Sequence, residues 1–595
     1  METKWNLDNI YTSADSEEFK KDTQELEKQL THLNKWCVKA FENTEEAEKT
    51  MCEYIVLKNR LMQFEKLMLY VNLAFSVDTS NEKLASVLDR LERLWAENAD
   101  NEARLSEYIK KIDNLDEIID KNPLLSEHSY FLKECAKAAK HTLKPEEELI
   151  VSRLKGTGSS LWGKQWEQLT SGLVIEFEHK GKKYREPLSS VRNMAYSDDK
   201  ALRKAAYEAE LKAYEKIKLP CAFCMNGIKG EVIALSKMHG YSSPLEMTLE
   251  DSRLDNEILS CMWSAIKEEL PELTEYFTAK AEALGYEDKK LPFYDLFAPI
   301  GDNPTYTLEE ARDTVIKSFY GFSKEMGDFA KNAFEKRWLD LMPREGKTGG
   351  AFCEAVHPIK ESRIMTNFGG TFNDVVTIAH ELGHGYHDSK LYDVTPLNSF
   401  YPMPLAETAS TFCETVVINE ALKTADEAAA LGILENDLQG IMQTLSDIYS
   451  RFLFEDKVFT LKEEGNFLTS DRLCSIMEEA QKEAYNDTLG EKHSYMWICK
   501  PHYYDGDFNY YNFPYAFGML LSKALYEKYV DMGDDFIPLY NEFLKNAALK
   551  SPMEAAQAAG FSLKDREFWK KGLKSVKEEI CKFKDLLSST GSKMR

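Results

Sequence analysis

The chain has 595 residues, is 43% hydrophobic, and sets 75 Lys and Arg against 100 Asp and Glu, for a formal net charge of −25. That length buries a large core over more than one subdomain, while the acidic balance, with no long basic stripe, excludes a polyanion binder working by counterion release, so no nucleic-acid partner is expected. No run of about eighteen apolar residues exists to cross a membrane. The opening residues, Met1 to Leu7, lack the basic start and apolar stretch of a secretory signal, and eleven cysteines without framework spacing suit free thiols. A cytoplasmic location with no membrane partner is the expectation.

In chain order, the first third predicts successive amphipathic helices. Phe19, Leu26, Leu30, Leu33 and Cys37 share one face, as do Leu84, Val87, Leu88, Leu91 and Trp95. Alternation at Leu173 to Glu178, then Lys180-Gly181 and a short run near Tyr184, predicts a small antiparallel hairpin at 173–185. Helical periodicity resumes near residue 196. Cys221 and Cys224, a lone Cys-x-x-Cys after Pro220, read as two small apolar residues on a helix face rather than a metal or redox pair. The pattern breaks at Leu284-Gly285, again over the proline-bounded Leu291–Pro299, and then over 343–373. That last segment holds a short strand at Arg363–Phe368 between Gly349-Gly350 and Gly369-Gly370. With no repeat or Gly/Ser linker, the expected division is a helical region at 1–195, including the hairpin, and a catalytic domain at 196–595.

The segment Thr377 to His384 places His380 and His384 at i and i+4, one face of a helix, at the spacing that chelates a tetrahedral metal. Random order of this composition would place such a motif roughly 0.03 times in the chain. Zinc takes imidazole nitrogen and, in catalytic sites, leaves one position for water, whose acidity it raises while polarising the scissile carbonyl. Glu381 then serves as general base rather than ligand. Asn373 and Asp374 are placed to cap this helix, and Val375, Val376 and Ile378 to bury it. His387, one turn on, reads as an outer-sphere or substrate-side residue, because three histidines within two turns of a straight helix rarely converge on one ion. Lys390 stands where a metzincin needs its third histidine. The third ligand is therefore sought downstream, where Ala406 to Val416 is helical in pattern and puts Glu407 and Glu414 two turns apart on one face. Glu407 is the candidate ligand, and Glu414 the candidate partner for the free ring nitrogen of His380 or His384.

These residues, with Trp5-Asn6-Leu7, Leu291–Pro299, Gly349-Gly350-Ala351-Phe352-Cys353 and Ala406-Glu407-Thr408-Ala409-Ser410, resemble the oligoendopeptidase F group of the thimet-oligopeptidase-like metallopeptidases over nearly the whole length. The resemblance implies a mostly α fold in which two helical halves enclose a deep substrate channel, with a small β-sheet next to the zinc helix. It also implies cleavage of oligopeptides rather than folded proteins, one Zn2+ per chain held by His380, His384 and Glu407, and Glu381 as base. A C-terminal segment, here Lys500 to Gly518, would supply His502, Tyr511 and Tyr515 to the developing oxyanion, with Phe513 standing where a further tyrosine is expected. The strand at Arg363, Met365 and Asn367, with Gly369 and Gly370, resembles the edge strand that holds substrate backbone by strand addition.

The expected activity is zinc-dependent hydrolysis of internal bonds in short oligopeptides through a metal-activated water. A helical zinc carboxypeptidase would need a cation for the substrate's terminal carboxylate. A non-catalytic peptide binder has no need of Glu381 or a complete ligand set, and a purely structural scaffold leaves the coincidence of motifs unexplained. Monomer and homodimer both stay open.

Overall fold

A computed structural model describes residues 2–96 and 99–590. It is mostly α-helical with two small sheets. The first predicted stripe lies on the helix Glu17–Ala40, whose N-cap Ser16 accepts from the Phe19 N–H, and Phe19, Leu26, Leu30, Leu33 and Cys37 are all buried on it. On Glu82–Ala96 only Leu91 is fully buried, with Leu84, Val87, Leu88 and Trp95 packed part-buried against the same core. The hairpin pairs β1 (Val174–His179) with β2 (Lys182–Pro187). Both loop residues, Lys180 and Gly181, have positive φ, as a tight two-residue turn requires, and Phe177 stacks on Tyr184. Cys221 and Cys224 are buried in the helix Lys218–Met238, where burial raises both thiols, to about 12 and about 11, which suits the apolar reading.

Cα packing divides the chain into two compact units, each assembled from three segments. The first comprises Met1–Thr142, Thr305–Glu420 and Met532–Gly560, and contains a continuous apolar core from Trp5 to Leu132 that also takes in Val356, Met365 and Leu397. Its sheet has the order β3 (Leu339–Asp340), β5 (Glu361–Met365), β4 (Phe352–Val356), with β3 parallel and β4 antiparallel to β5. The second unit comprises Leu143–Pro304, Ala421–Asp531 and Phe561–Arg595. Buried ion pairs pin its helices: Lys229 to Glu455 at 2.6 Å, with Asn509 as a further acceptor, and Arg203 to Asp295 at 2.8 Å. Removing one partner of such a pair would strand a buried charge. Among the described residues no helix is long and apolar enough to cross a membrane.

The sheet corrects the expectation that Arg363–Phe368 is an edge. β5 lies between two partners: Ile364 and Met365 pair with Leu339 and Asp340 on one side, and Cys353 and Phe352 oppose them on the other. Arg363 is a structural residue, 1% exposed, with its guanidinium on the Asn6 carbonyl, Asn9 and Glu361. Met365 is fully buried. Asn367 donates to the Thr348 and Gly350 carbonyls, the Gly369 N–H is taken by Asp374, and Gly370, at φ 93°, accepts from the Tyr306 N–H. These groups already have partners within the fold. The sequence could not reveal this because the second partner of β5 is only two residues long and lies more than twenty positions upstream. Within this three-stranded sheet, β4 is the edge strand with the longer open side, five residues against two in β3.

Candidate metal centre

The helix Phe372–Ser389 begins two to three residues earlier than Asn373-Asp374 suggested. Thr371 is the N-cap and Asp374 is its reciprocal partner, a capping box that satisfies donors at both positions. Val375, Ile378, Ala379, Leu382 and Tyr386 are buried along it, which fixes its rotation and leaves His380 and His384 side by side. The helix Met403–Leu422 crosses close by. A Cβ on Gly383 would fall 2.7 Å from both the Ala409 carbonyl oxygen and the Ser410 Cα, so only glycine permits this approach. Gly383 is thus a functional residue that sequence reasoning passed over. Its signal was a glycine inside a helix, which costs about 1 kcal/mol against alanine and usually has a packing reason.

That crossing brings Glu407 to the histidines. The Nε2 atoms of His380 and His384 lie 3.1 Å apart, and Glu407 Oε2 is 3.4 Å from the first and 3.8 Å from the second. Ligand bonds of about 2.0–2.1 Å in a tetrahedron put neighbouring donor atoms about 3.3 Å apart, so this donor set fits a zinc-sized ion. Among the described residues this is the His, Cys, Asp and Glu grouping with metal-binding geometry. The three side chains are 19–23% exposed, part-buried but reachable. Ser410 Oγ donates to Glu407 Oε2 at 3.1 Å and steadies the carboxylate, a role not read from the sequence.

The orienting partners are also present. His380 donates through Nδ1 to Glu414, which leaves its Nε2 facing His384 and Glu407, and His384 hydrogen-bonds the main chain of Ala406. Burial opposes charge on His380, yet the hydrogen bond and charge of Glu414, reinforced by Glu381 and Glu407, raise its imidazole to about 9. Burial, then the neighbouring His380, depresses His384 to about 3. The pair therefore takes one added proton, on His380, beside the carboxyl groups of Glu414, Glu381 and Glu407. A divalent cation satisfies the same groups, so its uptake displaces that proton and its affinity weakens as the pH is lowered. Glu414→Gln keeps the shape but loses the charge, and is expected to weaken zinc affinity about 10–100-fold, read by competition with a chromogenic chelator. Unchanged affinity would remove Glu414 from the site.

Glu381 is 6% exposed and pushed up to about 7 by burial, with His380 opposing and Glu407 and Glu414 adding to the rise. It is absent from the ligand grouping, as a base should be. His387 lies elsewhere. Its Nε2 donates to the Leu544 carbonyl at 3.0 Å, its ring stacks on Tyr401 at 4.0 Å, and burial lowers it to about 4. It is an interior packing residue in the first unit, and the outer-sphere and substrate-side expectation is corrected: it shares the helical face of His380, but seven residues of rise, about 10 Å, carry it along the helix into the core, and among the described residues neither of its ring nitrogens bonds a ligand side chain.

In the second unit His502, Tyr511 and Tyr515 cluster. The His502 and Tyr511 rings are 6.4 Å apart, and the two tyrosine hydroxyls are 3.5 Å apart. His502 is held neutral by burial and by Arg451, Lys229 and Lys500, and among the described residues its Nε2 is buried without a hydrogen-bond partner. Phe513 is buried at the start of the helix Phe513–Met532.

A sequence profile described as Peptidase family M3 matches residues 193–575, and one described as Oligopeptidase F matches 111–174. Among curated proteins, the oligopeptidase PepF of Bacillus subtilis is 24% identical over 98% of this chain and 87% of its own length. The group B oligopeptidase PepB of Streptococcus agalactiae is 23% identical over 88% of each. Among solved structures, a Chlamydophila abortus chain assigned to the peptidases superposes with a TM-score of 0.85 at 22% identity, over 98% of both chains. The oligoendopeptidase-F of Enterococcus faecium superposes at 0.70 and 19% identity, over 96% of this chain and 100% of that one. At such identities the superpositions establish the fold. With the M3 profile covering more than half of the residues, around a His-Glu-His helix and an incoming glutamate, the chain belongs to Peptidase family M3 and is a metalloendopeptidase.

Proposed function

We propose that this protein is a cytoplasmic zinc endopeptidase of short oligopeptides, with one zinc per chain on His380, His384 and Glu407 and the catalytic residues within 196–595. The observation that carries the reading is the three-ligand cluster with a separate buried carboxylate beside it. When bound, zinc supplies Lewis-acid activation of water and of the scissile carbonyl. Glu381 takes the proton released as water attacks and returns it to the leaving amine. Glu414 holds the His380 ring in the ligating tautomer. His502, Tyr511 and Tyr515 are assigned as donors to the carbonyl oxygen, since such hydrogen bonds strengthen as charge grows. The open edge of β4, in place of the strand at Arg363, is assigned to substrate backbone, a mode that tolerates many side chains.

Internally quenched peptides of graded length, with products mapped by mass, test the reading. Internal cuts abolished by a chelator and restored by zinc support it. Release of terminal residues alone would favour a carboxypeptidase, and no cleavage by zinc-loaded protein would leave a peptide binder. Tyr515→Phe is expected to lower kcat about 10²–10³-fold with little change in KM, as loss of a donor to the transition state does. A matched loss in Tyr511→Phe alone would move the assignment by one turn.

A further inference from the structure

The second unit contains a cavity of about 220 Å³, lined entirely by its own residues. Tyr207, Phe277, Phe293 and Tyr485 give it aromatic walls. Its ionic groups are matched with one exception. Arg203 pairs with Asp295 at 2.8 Å, Arg192 with Glu210 at 2.6 Å, and Asp447 is held by Arg451. Lys500 lines the same cavity, and among the described residues its ammonium makes no hydrogen bond or ion pair. Burial holds this lysine below its ordinary value, with Asp447 opposing. An unmatched, partly desolvated cation is costly unless an anion meets it, and here it stands in a chain of net charge −25.

The backbone marks the same place. Residues Gln443–Asp447 form a π-helical turn between the helices Glu427–Met442 and Ile448–Glu463, and Gln443 and Asp447 line the cavity. Such turns are rare single interruptions of α-helices and frequently sit at functional sites. The volume is below the roughly 300–1,000 Å³ of sites for drug-sized ligands, which suits a terminal residue or two rather than a long segment. A peptide ammonium is the wrong end, because the carboxylates of Glu210 and Asp447 are already taken by arginines.

We propose that this cavity is a subsite for the C-terminal residue of a bound peptide, with Lys500 receiving the terminal carboxylate and the aromatic walls taking a large apolar side chain. The proposal rests on the peptidase reading, in which His502, two residues along the same segment, serves the scissile carbonyl.

The test compares kcat/KM for pairs of quenched peptides ending in phenylalanine, identical except for a free carboxylate or an amide at the C-terminus. Wild type is expected to favour the carboxylate about tenfold or more, as a charge-assisted hydrogen bond allows. Lys500→Gln should bring the ratio to about one and Lys500→Arg should retain it, which separates lost recognition from lost folding. A wild-type ratio of about one, or a ratio unchanged in Lys500→Gln, overturns the proposal. Calorimetric binding of N-acetylphenylalanine and its amide needs no turnover. Lys500-dependent binding of the acid with no peptide cleaved would keep the subsite and sink the peptidase reading, whereas internal cleavage with no acid preference in either assay would do the reverse.

Discussion

Glu381→Gln is expected to lower kcat/KM on internally cleaved peptides about 10²–10⁴-fold while bound zinc stays at the wild-type level. The side chain lies next to His380 yet outside the ligand grouping, so its removal should spare the metal. Its pKa also has a working direction. Burial raises the carboxyl from its ordinary 4.5 to about 7, and a divalent cation nearby pulls it back down. The base acts deprotonated, so kcat/KM should rise with pH through a limb lying between those two values, and that limb should vanish with the residual activity of the variant. Zinc content by mass spectrometry and a pH profile of kcat/KM check both statements. A variant within about tenfold of wild type would mean that another group takes the proton.

Glu407→Ala and His384→Ala are expected to abolish both stoichiometric zinc after dialysis and peptide cleavage. Each leaves two ligands of three, and the loss should exceed the about 10–100-fold expected for the outer partner Glu414. The same experiment has a readout independent of turnover. Zinc binding to the folded state stabilises it by mass action, so the wild-type Tm should climb with zinc concentration and the ligand variants should show a flat response. A zinc-dependent Tm retained in Glu407→Ala would move the third ligand elsewhere. A further control is Gly383→Ala. Its added Cβ meets main chain of the crossing helix, so it bears on the same ligand through geometry alone.

Much of the centre was legible because its decisive spacings are local. The i, i+4 relation of His380 and His384 follows from the helical period, which the buried stripe Val375, Ile378, Ala379 and Leu382 enforces. The hairpin was readable for a similar reason: Lys180-Gly181 supplies two positive-φ residues between alternating runs. Glu414 was legible only as a partner of either His380 or His384, because the choice depends on where a second helix crosses the first.

What lay beyond the sequence is what long-range packing decides. Glu407 meets the histidines because Gly383 lets main chain from two helices approach, a contact set by the absence of a side chain. Arg363 and Met365 look like an exposed strand until Leu339 and Asp340 are seen to close their other side. His387 reads as a site residue by proximity along the chain, but two turns of rise from His380 carry its ring away to the Leu544 carbonyl. Lys500 carries no signal at all in the sequence, since its lack of a counterion exists only after Arg192, Arg203 and Arg451 have claimed the neighbouring carboxylates. Periodicity and capping are properties of a few consecutive residues, and so they determine helices and the faces they present. Which faces meet, and which charge is left over, depends on residues tens to hundreds of positions apart, whose approach only the packed tertiary structure settles.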